Sequence, residues 1–338
     1  MAFLPRSTKP QNTIFPNMTK TTKIRFFIFT TIGIALIAAA MQYLHSPAQS
    51  APPANFQTQS LVESIAKIAS NYPGEIGVVA IINNTDTIAV NNKPIYPMMS
   101  VFKMHQALAL CHAFDLSGRS LDSSVTIQRD KLDSNTWSPM MKEHPERAIS
   151  LTVKDLLRYS LAQSDNNASN LMFQKFVNTA QTDSFIASVI PRSSFQIAYT
   201  EEEMSADHDK AFANYTSPLG AAMLINRLFN DTLISPEKQN FIATALQECL
   251  TGKDRIVAPL QDKEGVSIAH KTSSGYTNAK GVLAAHNDVA YIRLPNNVHY
   301  ALAVFVTNFK GNETQAAQAI ARISSEIYAH LAASLQKP

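Results

Sequence analysis

The chain has 338 residues, of which 45% are hydrophobic, so it can bury a large core. Lysine and arginine outnumber aspartate and glutamate by 29 to 26, but five of the basic residues precede residue 26. The rest of the chain therefore carries 24 basic and 26 acidic residues. This balance gives no support to a nucleic-acid-binding surface, and we expect no nucleic-acid partner.

The N-terminal segment has the three parts of a secretory signal peptide. Its basic residues lead into 26–41, a run of sixteen without charge, and then into the small and polar residues 45–51. We expect residues 1–51 to be removed during export to the periplasm, with Met18 as an alternative start. The competing interpretation is an uncleaved anchor, but sixteen residues fall short of the roughly 20 that span a bilayer.

The first elements after this leader are a helix and two strands. Apolar residues recur at helical spacing over 61–70, which predicts an amphipathic helix. Two apolar segments, 77–82 and 87–90, predict strands that are joined by a turn over 83–86.

The middle of the chain, from 100 to about 249, has mostly helical patterns. The predicted helices are 101–114, 153–161, 168–177, 217–229 and 236–250. After them the sequence predicts three strands, at 266–272, 289–294 and 301–307, with a hairpin turn at 295–297 between the last two. A final helix is predicted at 313–335.

These elements predict an α+β fold with two lobes. Residues 52–99 and 256–338 would form an antiparallel sheet flanked by helices, and residues 100–255 would be inserted as an all-helical lobe. One active site between two lobes fits a chain of this length.

Three short motifs each place a hydroxyl beside an amine or an amide. They are Ser100-Val101-Phe102-Lys103, Ser164-Asp165-Asn166 and Lys271-Thr272-Ser273. Serine chemistry without a catalytic histidine needs such an arrangement, because a lysine then has to accept the serine proton. The pattern S-x-x-K also begins at Ser64 and Ser235, so it is not specific alone. Ser100 differs from these because it opens an apolar helix-forming run.

The order and spacing of the motifs resemble those of the class A serine β-lactamases. Ser164 follows Ser100 by 64 residues, and Lys271 follows Ser164 by another 107. The resemblance covers about residues 56–336 and places the chain among the penicillin-recognising serine enzymes. It implies a β-lactamase/transpeptidase-like fold, small β-lactam substrates, no cofactor and a monomer.

The resemblance also implies catalytic roles. Ser100 would be the nucleophile, and Lys103 would lie one helical turn later, within reach of its hydroxyl. Ser164 would relay a proton to the leaving nitrogen. Lys271 would attract a substrate carboxylate, and the backbone N–H of Ser274 would form an oxyanion hole with that of Ser100.

Four further residues would bind substrate. By resemblance, Asn166 binds the substrate side-chain amide and Thr272 donates a hydroxyl. Arg255 matches a position where some family members have an arginine behind the carboxylate site, although an ordinary ion pair is the alternative. Trp137 aligns with an aromatic residue at the mouth of the cleft, with core packing as the alternative.

Release of the acyl group requires a general base, which class A enzymes provide as a glutamate on an Ω-like loop. The segment 199–205 contains three adjacent acidic residues. The separation of Glu201 from the helix entrance at Ser217-Pro218 resembles that in the PER-type branch of class A, as does the sequence around Trp137. The resemblance therefore assigns the base to Glu201, with Glu202 and Glu203 as solvated neighbours. Two departures affect rate and substrate range. Ser273 replaces the usual glycine of the third motif, and Ser205 replaces an asparagine that many relatives carry.

Other chemistry has little support in the sequence. The nine histidines show no metal-ligand spacing, so we expect no metal site. Cys111 and Cys249 are interpreted as buried free thiols. Besides β-lactam hydrolysis, two functions remain open: a D-Ala-D-Ala peptidase or penicillin-binding protein acting on peptidoglycan, and a non-catalytic cell-wall binding module.

Overall fold

The computed structural model of the protein describes residues 58–93 and 95–335. The proposed signal peptide, 1–51, lies outside these residues. In the described part of the chain, no helix combines the length and the apolar character that crossing a membrane requires.

The secondary structure follows the predicted order. The strands are β1 (Glu75–Ile82), β2 (Asp86–Val90), β3 (Tyr96–Pro97), β4 (Ser124–Gln128), β5 (Ala148–Thr152), β6 (Phe195–Gln196), β7 (Tyr215–Thr216), β8 (Ser267–Ser274), β9 (Leu283–Arg293) and β10 (His299–Phe309). The helices are α1 (Thr58–Ser70), α2 (Phe102–Ser117), α3 (Pro139–Glu143), α4 (Val153–Ala162), α5 (Asn166–Lys175), α6 (Thr179–Val189), α7 (Glu201–Ala206), α8 (Pro218–Asn230), α9 (Pro236–Gln247) and α10 (Glu313–Leu335).

Five strands form an antiparallel sheet in the order β2-β1-β10-β9-β8. Both faces of the sheet are covered, and this explains why β1 is an unbroken apolar run rather than an alternating one. Val79 and Ile81 belong to the core that the sheet shares with the helical segment. α1 and α10 pack on each other and on the sheet. This confirms the α+β fold with an antiparallel sheet flanked by helices.

One helix of the middle segment also belongs to the sheet. α8 packs against β1, β9 and β10, although it lies within the range 100–255 that the sequence assigns to the helical lobe. Contacts between the sheet and the middle segment are thus extensive. The exact division into two lobes stays a prediction.

The sequence patterns do not predict a small two-stranded sheet in the middle segment. β4 and β5 pair antiparallel, with Val125 opposite Leu151 and Ile127 opposite Ile149. These apolar residues alternate with exposed ones in both strands, as a half-buried strand requires. β5 leads directly into α4, and Thr152 caps that helix in a capping box with Asp155.

The start of α8 offers a test of local helix stability. Ser217 is its N-cap, and its buried hydroxyl accepts a hydrogen bond from the Gly220 N–H at 3.0 Å. We expect Ser217→Ala to lower the free energy of unfolding by about 1–2 kcal/mol, because it leaves that N–H without its acceptor. Ser325→Ala, on the exposed side of α10, is the control and should change stability by less than about 0.5 kcal/mol. If urea unfolding gave equal changes in stability for Ser217→Ala and Ser325→Ala, the stabilising role of the Ser217 cap would be contradicted.

Candidate active site

The three sequence motifs meet in space through two lysines and one serine. Lys103 Nζ donates to the backbone oxygen of Ser164 at 2.8 Å and to Asn166 Oδ1 at 2.6 Å. Lys271 Nζ donates to Ser164 Oγ at 2.9 Å. Both lysine side chains are fully buried. Ser164 therefore lies between two amines that come from different elements, α2 and β8.

Ser100 lies in a 3₁₀ turn, Met99–Val101, just before α2 begins. Met99 has a φ of 43°, a left-handed conformation that costs a residue with a side chain about 1–2 kcal/mol. Packing of β8 and β9 against the turn holds this backbone, and the Met98 N–H donates to Asn214 O at 2.9 Å. Strained backbone of this kind is maintained where the surroundings fix it, and functional sites are common examples.

Glu201 joins Ser100 to the buried Lys103. Its Oε1 accepts a hydrogen bond from Ser100 Oγ at 2.8 Å and forms an ion pair with Lys103 Nζ at 2.9 Å. The hydroxyl of Ser100 thus donates to Glu201, whereas the sequence-based expectation paired it with Lys103. The carboxylate is positioned to take the serine proton, and Lys103 is positioned to stabilise the carboxylate.

The other two acidic residues of the segment have different surroundings. Glu203 accepts from the Thr200 N–H at 2.9 Å and closes a capping box at the start of α7. Glu202 is exposed, and its backbone N–H donates to Asn170 Oδ1 at 3.2 Å. Among the three, the contacts with Ser100 and Lys103 belong to Glu201.

Asn214 ties the Glu201 segment to the Ser100 turn. Its Oδ1 accepts from the N–H groups of Ala198 and Tyr199 at 2.7 and 2.9 Å, and its Nδ2 donates to Tyr199 O at 2.7 Å. The backbone oxygen of the same residue accepts from Met98. The Glu201 segment and the Ser100 turn are therefore held by one buried asparagine.

The loop before α5 presents Ser164 and Asn166 to the site. Ser164 has a φ of 58°, which turns the chain sharply before the helix. Asp165 points away, is buried, and accepts from Ala168 N, Met140 N and Ser138 Oγ. Burial raises the pKa of Asp165, although these hydrogen bonds oppose the rise.

Lys271 and Thr272 form the opposite wall on β8. Burial, followed by the charge of Lys103, lowers the pKa of Lys271 to about 7. Thr272 Oγ1 lies 2.5 Å from Thr251 Oγ1, so its hydroxyl is oriented by a neighbour that the motifs do not include. This wall can supply one titratable positive charge and one hydroxyl.

Arg255 lies behind the end of β8, not in an ordinary surface ion pair. Its guanidinium donates to the oxygens of Ser273 and Asn287 at 2.7 Å, and to Ser274 Oγ at the same distance. Its nearest carboxylate contact, Asp254, is at 3.9 Å. Ser273, which replaces the usual glycine, is buried and accepts from Asn287 Nδ2.

Trp137 lies on an exposed loop and not in the core, with 53% of its surface accessible. Its Nε1 donates to Gln163 O at 2.9 Å, and its backbone oxygen accepts from the Asn166 N–H. Lys142 Nζ lies 4.8 Å from the ring centroid. The indole is thus fixed beside the Ser164 loop.

Comparisons with known proteins agree with this geometry. The family model described as the beta-lactamase enzyme family matches residues 60–331. The chain belongs to that family. It is 69% identical over 274 residues to a beta-lactamase of Phocaeicola vulgatus, which covers 81% of this chain and 85% of that protein.

More distant relatives confirm the class A resemblance. Extended-spectrum beta-lactamase PER-1 of Pseudomonas aeruginosa is 30% identical over 273 residues, or 80% of this chain and 87% of that one. A class A beta-lactamase structure from Bacteroides cellulosilyticus superposes with a TM-score of 0.77 at 29% identity, covering 82% of this chain and 98% of that one. The β-lactamase fold and the PER-type resemblance are therefore confirmed.

Several residues that hold the site lie outside the sequence motifs. Thr251, Asn214 and Asn287 make the contacts described above, and Thr136 Oγ1 accepts from Asn166 Nδ2 at 2.8 Å. Ring stacking of His208 on Tyr276, at 3.9 Å, joins the segment after α7 to the segment after β8. None of these residues lies in a recognisable motif, and only the tertiary contacts identify them.

Proposed function

We propose that the protein hydrolyses β-lactam antibiotics through an ester on Ser100 that Glu201 helps to release. The observation that carries the proposal is the contact of Glu201 Oε1 with both Ser100 Oγ and Lys103 Nζ. A nucleophile, a base and a cation in direct contact are what acyl transfer to a serine requires. The names of the relatives support the substrate class.

Acylation begins with transfer of the Ser100 proton to Glu201. The freed oxygen attacks the β-lactam carbonyl, and the backbone N–H groups of Ser100 and Ser274 stabilise the oxyanion. When the tetrahedral intermediate collapses, Ser164 gives its proton to the leaving nitrogen. Its contact with Lys271 provides the replacement proton.

Deacylation uses the same carboxylate a second time. Before this step, the proton that Glu201 took from Ser100 replaces the one that Lys271 gave up, so Glu201 is again a carboxylate. It then removes a proton from a water molecule, which attacks the ester carbonyl, and the expelled Ser100 oxygen takes that proton. Lys103 stabilises the carboxylate between the two steps. A penicillin-binding protein without such a base would remain acylated. The lifetime of the acyl-enzyme therefore distinguishes a β-lactamase from a penicillin-binding protein.

Substrate binding divides between the two walls of the cleft. Lys271, Thr272 and Arg255 would bind the substrate carboxylate from the β8 side. Asn166 would donate to the side-chain amide from the opposite side, and Trp137 would contact the substrate at the cleft edge. Each polar group matches an ionised or hydrogen-bonding part of a β-lactam.

The protein would work in the periplasm as a monomer after removal of residues 1–51. A basic and then apolar leader supports export, and every residue proposed for catalysis comes from one chain. The proposal needs no cofactor or metal, because Ser100, Glu201 and the two lysines supply the nucleophile, the base and the charges.

Trapping of the acyl-enzyme tests the proposed function. Glu201→Gln should slow turnover of nitrocefin by roughly 10²–10⁴-fold and accumulate a covalent adduct, because loss of the base slows hydrolysis of the ester even more than its formation. Glu202→Gln is the matched control and should turn over without accumulation. Ser100→Ala should form no adduct in intact-mass spectrometry.

The other functions predict different results. A long-lived penicilloyl adduct on the unaltered protein would support a penicillin-binding protein. Failure of any β-lactam to label Ser100 would support a non-catalytic wall-binding module.

The low pKa of Lys271 predicts the pH dependence of substrate capture. Below about pH 7 the side chain is an ammonium that attracts a carboxylate, and above it the charge is lost. We expect kcat/KM for benzylpenicillin to fall by up to about tenfold per pH unit above that point. Lys271→Arg keeps its charge and should flatten this fall, whatever its absolute rate. A flat profile for the unaltered enzyme between about pH 6 and 8.5 would contradict the assignment.

A further inference from the structure

A cluster of titratable side chains lies behind β8, outside the groups assigned to catalysis. It consists of Cys249, His270 and Asp288, with 9%, 3% and 0% of their surfaces exposed. His270 Nδ1 lies 3.0 Å from Asp288 Oδ1. Asp288 Oδ2 accepts from the Ile256 N–H at 3.1 Å. Cys249 Sγ contacts Thr251 and lies close enough to His270 for the two charges to interact.

The charges of this cluster depend on one another. Burial lowers the pKa of His270, but the charge of Asp288 and the hydrogen bond with that carboxylate outweigh it and raise the pKa to about 10. Burial raises the pKa of Cys249, but the interaction with His270 outweighs it, so the pKa falls to about 7. In contrast, burial and Asp115 raise the pKa of Cys111 to about 12. The location of Cys249, not its residue type, gives it thiolate character.

Short contacts connect the cluster to the substrate wall. Cys249 Sγ lies 3.4 Å from Thr251 Oγ1, and Thr251 Oγ1 lies 2.5 Å from Thr272 Oγ1. His270 directly precedes Lys271 in β8. A change at the thiol can therefore reach Thr272 and Lys271, two of the three groups that are proposed to bind the substrate carboxylate.

We propose that Cys249, His270 and Asp288 form a positioning cluster that orients the Thr272 hydroxyl through Thr251 and holds negative charge behind Lys271. This inference rests on the proposed function, since it concerns capture of the substrate carboxylate. Orientation acts through the Cys249–Thr251–Thr272 contacts. The charge acts through space and needs an ionised Cys249.

The charged groups around Lys271 come from several elements. The charges of Lys103 on α2 and Arg255 after α9 lower the pKa of Lys271. The charge of Cys249, which also follows α9, and that of Glu201, on α7, raise it. Removal of the Cys249 charge should therefore lower the Lys271 pKa further. The fall of kcat/KM at alkaline pH would then begin at a lower pH than in the unaltered enzyme.

Two substitutions at Cys249 separate orientation from charge. Cys249→Ala removes both the contact with Thr251 and the charge, and should raise KM for benzylpenicillin about 3- to 10-fold with little change in kcat. Cys249→Ser keeps a hydroxyl for Thr251 but cannot ionise. It should restore KM near pH 6 but still shift the alkaline fall of kcat/KM to lower pH. Cys111→Ala is the matched control, a buried thiol outside the cluster, and should leave KM and its pH profile unchanged.

A spectroscopic titration tests the cluster without reference to activity. The ultraviolet absorption of a thiolate should appear near pH 7 in the unaltered protein and in Cys111→Ala, and should be absent there in Cys249→Ala. His270→Asn should raise the pKa of the Cys249 thiol toward its ordinary value of 9.0, so the thiolate absorption should appear at higher pH. This readout remains informative if β-lactam hydrolysis itself is not observed, so the two proposals can fail separately.

Several results would overturn the inference. One is the absence of any thiolate signal below about pH 8 in the unaltered protein. Another is a Cys249→Ala enzyme whose KM and pH profile match those of the control. A third is an equal fall of kcat in both Cys249 variants at every pH, since that is the effect of a purely structural role.

Discussion

One carboxylate oxygen of Glu201 accepts a hydrogen bond from Ser100 and forms an ion pair with Lys103, and the rest of the site is arranged around this contact. It requires the turn before α2 and the first turn of α2 to meet the start of α7, and the loop before α5 also contacts Lys103. Lys103 is wholly buried, so a cation in that position needs acceptors on every side. Glu201, Asn166 and the backbone of Ser164 provide them.

The fold supplies this contact by holding strained backbone between rigid elements. Met99 and Ser164 both have positive φ angles, and each lies next to or within a motif. Such conformations persist only where packing and hydrogen bonds fix them. β8 and β9 pack against the first, and the Asp165 cap of α5 fixes the second. The sheet, buried on both faces, is the support that these segments share.

Much of this arrangement is predictable from the sequence, and particular residues show why. Ser100, Lys103, Ser164 and Lys271 stand in an order typical of a known family. The structure places Lys103 and Lys271 in contact with Ser164, and it joins Ser100 to Lys103 through Glu201. The pattern T-x-x-E at 200–203 indicates a capping box, so it also gives a local reason to set Glu203 aside as the base. The alternation in β4 and β5 is visible too, but those strands lack a tight turn between them and were overlooked.

Other features depend on tertiary structure and have no local signal. Thr251 and Thr272 are 21 residues apart and belong to different elements, yet their hydroxyls touch. Asn214 holds both the Glu201 segment and the Ser100 turn through hydrogen bonds that no sequence pattern indicates. The Ser100 hydroxyl donates to Glu201, whereas the sequence led us to expect Lys103 as its partner. Direct proton transfer to Glu201 is therefore the central claim about the chemistry.

The rate of acylation measures that transfer most directly. Stopped-flow mixing with nitrocefin separates formation of the Ser100 ester from its hydrolysis. If Glu201 takes the serine proton, Glu201→Gln should form the ester roughly 10²-fold more slowly than the unaltered enzyme. An unchanged acylation rate in that variant would contradict the account and would assign the proton to Lys103 instead.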